Sequence, residues 1–132
     1  MKKLILFSTL LALVTSCNFY EVEPRYDHRD KFVGYFDVEE YSNTYGDYTY
    51  YEVRISTSRH RDEIVIDNFY AANLRVYATV SYNDVRIPYQ VVNGYEIEGT
   101  GTLYHNELTL SYRVKDLYNN ARSNYYETVA WR

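Results

Sequence analysis

The stretch from Arg75 to Lys115, RVYATVSYNDVRIPYQVVNGYEIEGTGTLYHNELTLSYRVK, alternates apolar and polar residues over most of its length. Such alternation puts every second side chain on one face of a β-strand, and a slip of one residue would turn the strand inside out. The turns between its segments therefore decide the fold. With Asn83-Asp84 as a two-residue turn, Tyr82 faces Val85, Val80 faces Ile87, Ala78 faces Tyr89 and Val76 faces Val91, every pair apolar. Asn93-Gly94 also suits a two-residue turn, but that reading sets Val91 against Glu96 and Tyr89 against Glu98. A three-residue loop, Val92-Asn93-Gly94 with Gly94 left-handed in a G1 bulge, pairs Val91 with Tyr95, Tyr89 with Ile97 and Ile87 with Gly99, so the apolar faces favour the bulge. With His105-Asn106 as the next turn, Leu103 faces Leu108, Gly101 faces Leu110, Gly99 faces Tyr112 and Ile97 faces Val114. The predicted core face then runs across four strands, and Glu96 and Glu98 fall on the outer one.

Working outward, the same alternation predicts strands at 32–40, 48–57, 63–69, 75–82, 85–91, 95–104, 107–115 and 124–131. The stretches between them are short and rich in Asn, Asp, Ser and Gly. Parallel strands need crossovers of a dozen or more residues, for which there is no room. No window holds apolar residues at helical spacing over a helix's length. The expectation is an all-β domain, an antiparallel up-and-down meander of about eight strands closed into a small barrel, with a β-sandwich as the alternative.

Upstream, Lys2 and Lys3 precede an apolar run, Leu4 to Val14, that is shorter than the roughly 20 residues a membrane span requires. A basic start and a short apolar core have the form of a secretory signal. The run ends in Val14-Thr15-Ser16-Cys17, and Cys17 is the sole cysteine. This tetrapeptide resembles the lipobox of bacterial lipoproteins. The resemblance implies that the Cys17 sulfur receives a diacylglyceryl group, that residues 1–16 are removed as a signal peptide, and that acyl chains on Cys17 hold the protein at a membrane. Asn18, in place of the aspartate of inner-membrane retention, points to the outer membrane. The resemblance of Glu21 and Glu23 to acidic surface-export signals leaves the periplasmic and the surface face both open. Residues 17–31 then form the lipidated cysteine and a charged tether, and residues 32–132 the β-domain.

Without residues 1–16 the chain has 116 residues, and the loss of Lys2 and Lys3 takes its formal net charge from −4 to −6. A nucleic-acid binder would carry the opposite sign, and anionic head groups would repel rather than hold the body. All 18 tyrosines lie in this mature part. Tyrosine joins a strand-favouring ring to a polar tip, which suits a β-protein with rings inside and outside.

From Asp30, the run DKFVGYFDVEEY with the alternating strands after it resembles the opening of lipocalin-like (calycin) barrels, which carry a Gly-x-aromatic in the first strand; here these are Gly34 and Phe36, with Phe where the family usually has Trp. The resemblance implies a small barrel with room for one apolar or glycan-like ligand. The strand glycines locate that room beside Gly99 and Gly101, lined by Tyr89, Ile97, Leu110 and Tyr112.

No catalytic constellation is expected. His28, His60 and His105 stand on separate turns without zinc-site spacing, so no metal or other cofactor is predicted. Asp27-His28-Arg29-Asp30 reads as a solvated tether end with an ion pair. Glu39 and Glu40 are adjacent on a strand, point to opposite faces and cannot share a proton. The expectation is therefore a non-enzymatic envelope lipoprotein, an accessory or protein-interaction factor that touches an envelope protein through Tyr41, Tyr45, Tyr48, Tyr50 and Tyr51. The alternative is a lipocalin-like binder of a small ligand.

Overall fold

A computed structural model describes residues 26–119 and 122–132. The expected signal peptide, Cys17 and most of the expected tether lie outside the described residues. Eight strands follow in chain order: β1 (Gly34–Ser42), β2 (Tyr48–Thr57), β3 (Glu63–Phe69), β4 (Leu74–Ser81), β5 (Asp84–Val92), β6 (Tyr95–Tyr104), β7 (Glu107–Asp116) and β8 (Ser123–Trp131). Each is antiparallel to the next, and β8 returns to pair with β1 between Asp37↔Trp131 and Ser42↔Tyr126. The expected meander is thus closed into a barrel, and the sandwich alternative falls away. Closure leaves no unpaired sheet edge for another chain to extend.

The β6–β7 register is the one the sequence predicts. Ile97↔Val114, Gly99↔Tyr112, Gly101↔Leu110 and Leu103↔Leu108 pair, and the turn is His105-Asn106. Two neighbouring turns differ from expectation. Val80 pairs with Val85 and Ser81 with Asp84, so the β4–β5 turn is Tyr82-Asn83 rather than Asn83-Asp84. This is a shift of two residues between the strands, which preserves the inward face: Val76, Ala78, Val80, Val85 and Ile87 are all buried. Tyr82 gives up its predicted pairing and takes a left-handed turn conformation at φ 54°.

The β5–β6 turn lacks the expected bulge. Val92 pairs with Tyr95 and Val91 with Glu96, so Asn93 (φ 48°) and Gly94 (φ 82°) form a two-residue turn. That is the left-handed pair such a hairpin favours. The irregularity lies inside β5, where pairing with β6 breaks between Ile87 and Gln90. Pro88 has no amide hydrogen to donate to a ladder, so the extra residue is accommodated there. The Gln90 amide fills the gap on the β4 side, donating to Tyr77 O at 2.8 Å and accepting from Tyr77 N at 3.0 Å. Beyond the break the alternation inverts. Tyr89 and Val91, expected inside, are exposed.

One end of the barrel is closed. A 3-10 turn at Asp30–Phe32 tucks Phe32 completely out of solvent. Arg29 belongs to the run read as tether, yet it is docked: its guanidinium donates to Ser58 O at 2.8 Å and His60 O at 3.0 Å while paired with Asp27 at 2.7 Å. Lys31 donates to Asn83 Oδ1 at 2.7 Å. From the far end of the chain, Arg132 donates to Val33 O at 2.8 Å and lies over the Phe36 ring at 5.2 Å. This closed base gathers the β2–β3, β4–β5 and β6–β7 turns. Above it the core is aliphatic and aromatic, with Phe36, Ile55, Ile64, Ile66, Val76, Ile87, Ile97, Leu108 and Val114 buried.

Candidate functional site

The alternation of β1 places Phe36, Val38, Glu40 and Ser42 inside the barrel, and Glu40 is only 3% exposed. A carboxyl removed from water requires partners or a proton. Two strands supply the partners. Tyr51 of β2 donates its hydroxyl to Glu40 Oε2 at 2.5 Å, and Tyr112 of β7 donates to the same oxygen. Above them, the Tyr126 hydroxyl of β8 meets that of Tyr70 at 2.6 Å, and the Tyr126 ring stacks on Tyr112 with centroids 5.3 Å apart. Tyr70 and Tyr95 meet edge to face at 5.9 Å. Tyr70 reaches this position from the β3–β4 turn, where its backbone is left-handed at φ 61°.

Burial pushes the Glu40 carboxyl up to about 7, against the lowering effect of the Tyr51 hydrogen bond. Burial likewise raises Tyr51, with the nearby Glu40 charge adding to it. Tyr126 and Tyr70 are both raised, by burial first. The cluster therefore combines a carboxyl that is partly protonated near neutrality with tyrosines that keep their protons.

The cluster forms the floor of the open end. Over it lies a cavity of about 250 Å³ lined by Glu40, Ser42, Tyr45, Asp47, Thr49, Tyr70 and Tyr126. An outer chamber of about 490 Å³ adjoins it through Tyr45 and Tyr70, and adds Tyr95, Asp116, Asn119, Arg122 and Asn124. Asn124 Oδ1 is buried there without a hydrogen-bond partner among the described residues. Larger concavities of about 820 and 630 Å³ are open grooves in the outer wall, lined mostly by hydroxyl-bearing and loop residues, and neither has a buried charged side chain.

The residues proposed from sequence as a ligand lining are only partly together. Ile97, Leu110 and Tyr112 are inside and buried. The space beside the glycines is occupied by their cross-strand neighbours. A Cβ on Gly99 would lie 2.5 Å from both Ser111 O and Tyr112 Cβ, and one on Gly101 would meet Thr109 O and the Leu110 side chain. The void between Val38, Ile66, Leu110 and Ala130 amounts to about 10 Å³. Tyr89 stands outside and donates to Glu96 at 2.8 Å. Glu96 and Glu98 are on the outer wall as expected, both paired with Arg113.

Of the five tyrosines expected at the surface, Tyr45, Tyr48 and Tyr50 are exposed, and Tyr41 packs on Tyr48 at 5.0 Å. Tyr51 is the exception: its neighbour Tyr50 points out, so Tyr51 points in, to Glu40. The importance of Glu40 is the main feature sequence reasoning missed. The signal was available, because opposite faces for Glu39 and Glu40 oblige one of the two to face the core.

No family model matches the chain, and no curated protein matches it.

Proposed function

We propose that this protein is a bacterial envelope lipoprotein, anchored at the outer membrane through acyl chains on Cys17, whose lipocalin-like barrel is a filled scaffold that recognises its partner at the open end. Its role is that of an accessory or interaction factor without catalysis. The observation that supports this best is the distribution of space. The barrel interior holds a void of about 10 Å³, while the open end has chambers of about 250 and 490 Å³. Eight-stranded barrels either pack their interior with side chains or enclose one small ligand. Tyr112 and Leu110, folded over Gly99 and Gly101, favour the first.

The tether enters at the closed base. From Cys17 to Tyr26 it spans at most about 30 Å when extended, so an anchor at Cys17 would keep the base within that reach of the membrane. Two measurements test the reading. Cells fed clickable palmitate should label the wild-type protein and lose the label in Cys17→Ser; label surviving the substitution would remove the anchor. Purified protein should give no saturable fluorescence change with pyrene, a neutral apolar probe, whereas stoichiometric pyrene binding would restore the internal-ligand alternative.

A further inference from the structure

The inner chamber of the open end has an unusual balance of groups. Its lining brings two carboxyl side chains, Glu40 and Asp47, together with three tyrosines, Tyr45, Tyr70 and Tyr126, and contains no lysine, arginine or histidine. Glu40 spends Oε2 on both tyrosine hydroxyls, and Oε1 takes part in none of the described hydrogen bonds. The adjoining chamber is lined by Asp116 and Arg122, and Asn124 Oδ1 beside it has no partner among the described residues. Glu40 lines the space, so its Oε1 is left to accept from a bound group, and a buried charge is tolerated only when it is paired.

We propose that this chamber binds an organic ammonium ion, either a small protonated amine or the ε-ammonium of a lysine side chain. An ammonium group supplies three donors and the compensating charge, and aromatic faces attract it through their quadrupoles. An anion would meet two carboxyl groups. A calcium-class ion needs six or more oxygen ligands, and no group of three His, Cys, Asp or Glu side chains converges among the described residues. The inference rests on the reading of the open end as the recognition surface, and it names the chemistry recognised there.

The test is a calorimetric and NMR titration of the full chain in detergent. The probes are phenethylammonium, its neutral analogue phenethyl alcohol, and N-acetyl-lysine methylamide with and without Nε-acetylation. At least one ammonium probe should saturate, with shifts in the Tyr70 and Tyr126 ring signals, and its neutral counterpart should not. A response to phenethylammonium assigns the source to free amines, and one to the lysine derivative alone assigns it to a protein side chain. Glu40→Gln should weaken binding by about tenfold or more, as loss of a buried charge partner does. Asp47→Asn, on the exposed rim, should weaken it by about two- to fivefold. Absence of saturation by both ammonium probes, equal binding of alcohol and amine, or unchanged affinity in both variants would overturn the proposal. Palmitate labelling and the pyrene measurement do not involve Glu40, so failure of either is distinct from failure here.

Discussion

At the scale of single residues, Glu40 couples the open end to pH. Its native carboxyl holds a proton up to about 7, against 4.5 for the unperturbed group, because burial disfavours the charge. Between those values the native state binds more protons than the unfolded chain, so stability must fall as pH rises. The contribution is fully present below about 4.5, is lost progressively toward about 7, and is flat above. At about 1.4 kcal/mol per pH unit the loss amounts to about 3 kcal/mol. Urea unfolding at pH 5 and pH 8 should reveal this slope in the wild type. In Glu40→Gln, which keeps an acceptor for Tyr51 and Tyr112 without a titrating proton, the slope should flatten and the stability at pH 8 should equal or exceed that of the wild type. A wild-type protein more stable at pH 8 than at pH 5 would contradict the assignment.

At the scale of elements, the β6–β7 hairpin is the part of the wall where two strand glycines meet large cross-strand neighbours. Gly99 and Gly101 face inward, and their missing side chains let Tyr112 and Leu110 lie across the strand. Gly99→Val therefore meets a backbone oxygen and a Cβ, not the flexible end of a side chain. The substitution should lower stability by about 1–3 kcal/mol through overpacking, read as a reduced urea midpoint with an unchanged slope. Because Tyr112 also donates to Glu40, the damage should propagate to the open end and shift the tyrosine near-ultraviolet signal. A midpoint unchanged from the wild type would show that the wall yields there at no cost.

The whole molecule is a cylinder with unlike ends. The base is sealed by both terminal regions of the described chain: Phe32 fills it, and Arg132 ties Val33 to Asn106 while covering Phe36. Arg132→Ala should loosen this seal at a cost of about 1–2.5 kcal/mol, the sum expected of an exposed cation–π contact and a peptide-directed hydrogen bond. Amide exchange should quicken at Phe32 and Val33 and remain slow at Ile97 and Val114. Equal exchange throughout would mean that Arg132 does not close the base. The described chain begins at the sealed end, and the polar end lies opposite, where the proposed recognition would take place.

Much of this architecture was legible in the chain itself. Alternation is local, so strand limits at Tyr48–Thr57, Glu63–Phe69 and Tyr95–Tyr104, and the inward positions of Phe36, Ile87, Ile97 and Leu108, follow from neighbouring residues alone. The β6–β7 register follows too, because a tight turn and two facing apolar sets leave no second solution. The β5 irregularity was not legible in the same way: the apolar alternation favours a bulge at the turn, and the signal overlooked was Pro88, which has no amide hydrogen for a ladder. The pairing of all eight strands decides for the Asn93-Gly94 turn, at the expense of Tyr89 and Val91. The open end is the clearest case. That one of Glu39 and Glu40 faces inward is written in β1, but the hydroxyls that meet it come from β2 and β7, 11 and 72 residues away. Tyr51 is a diagonal neighbour within the β1–β2 hairpin, but only closure of the barrel brings Tyr112 to the same carboxyl; a period-two pattern records which face a side chain takes and nothing of what stands across the interior.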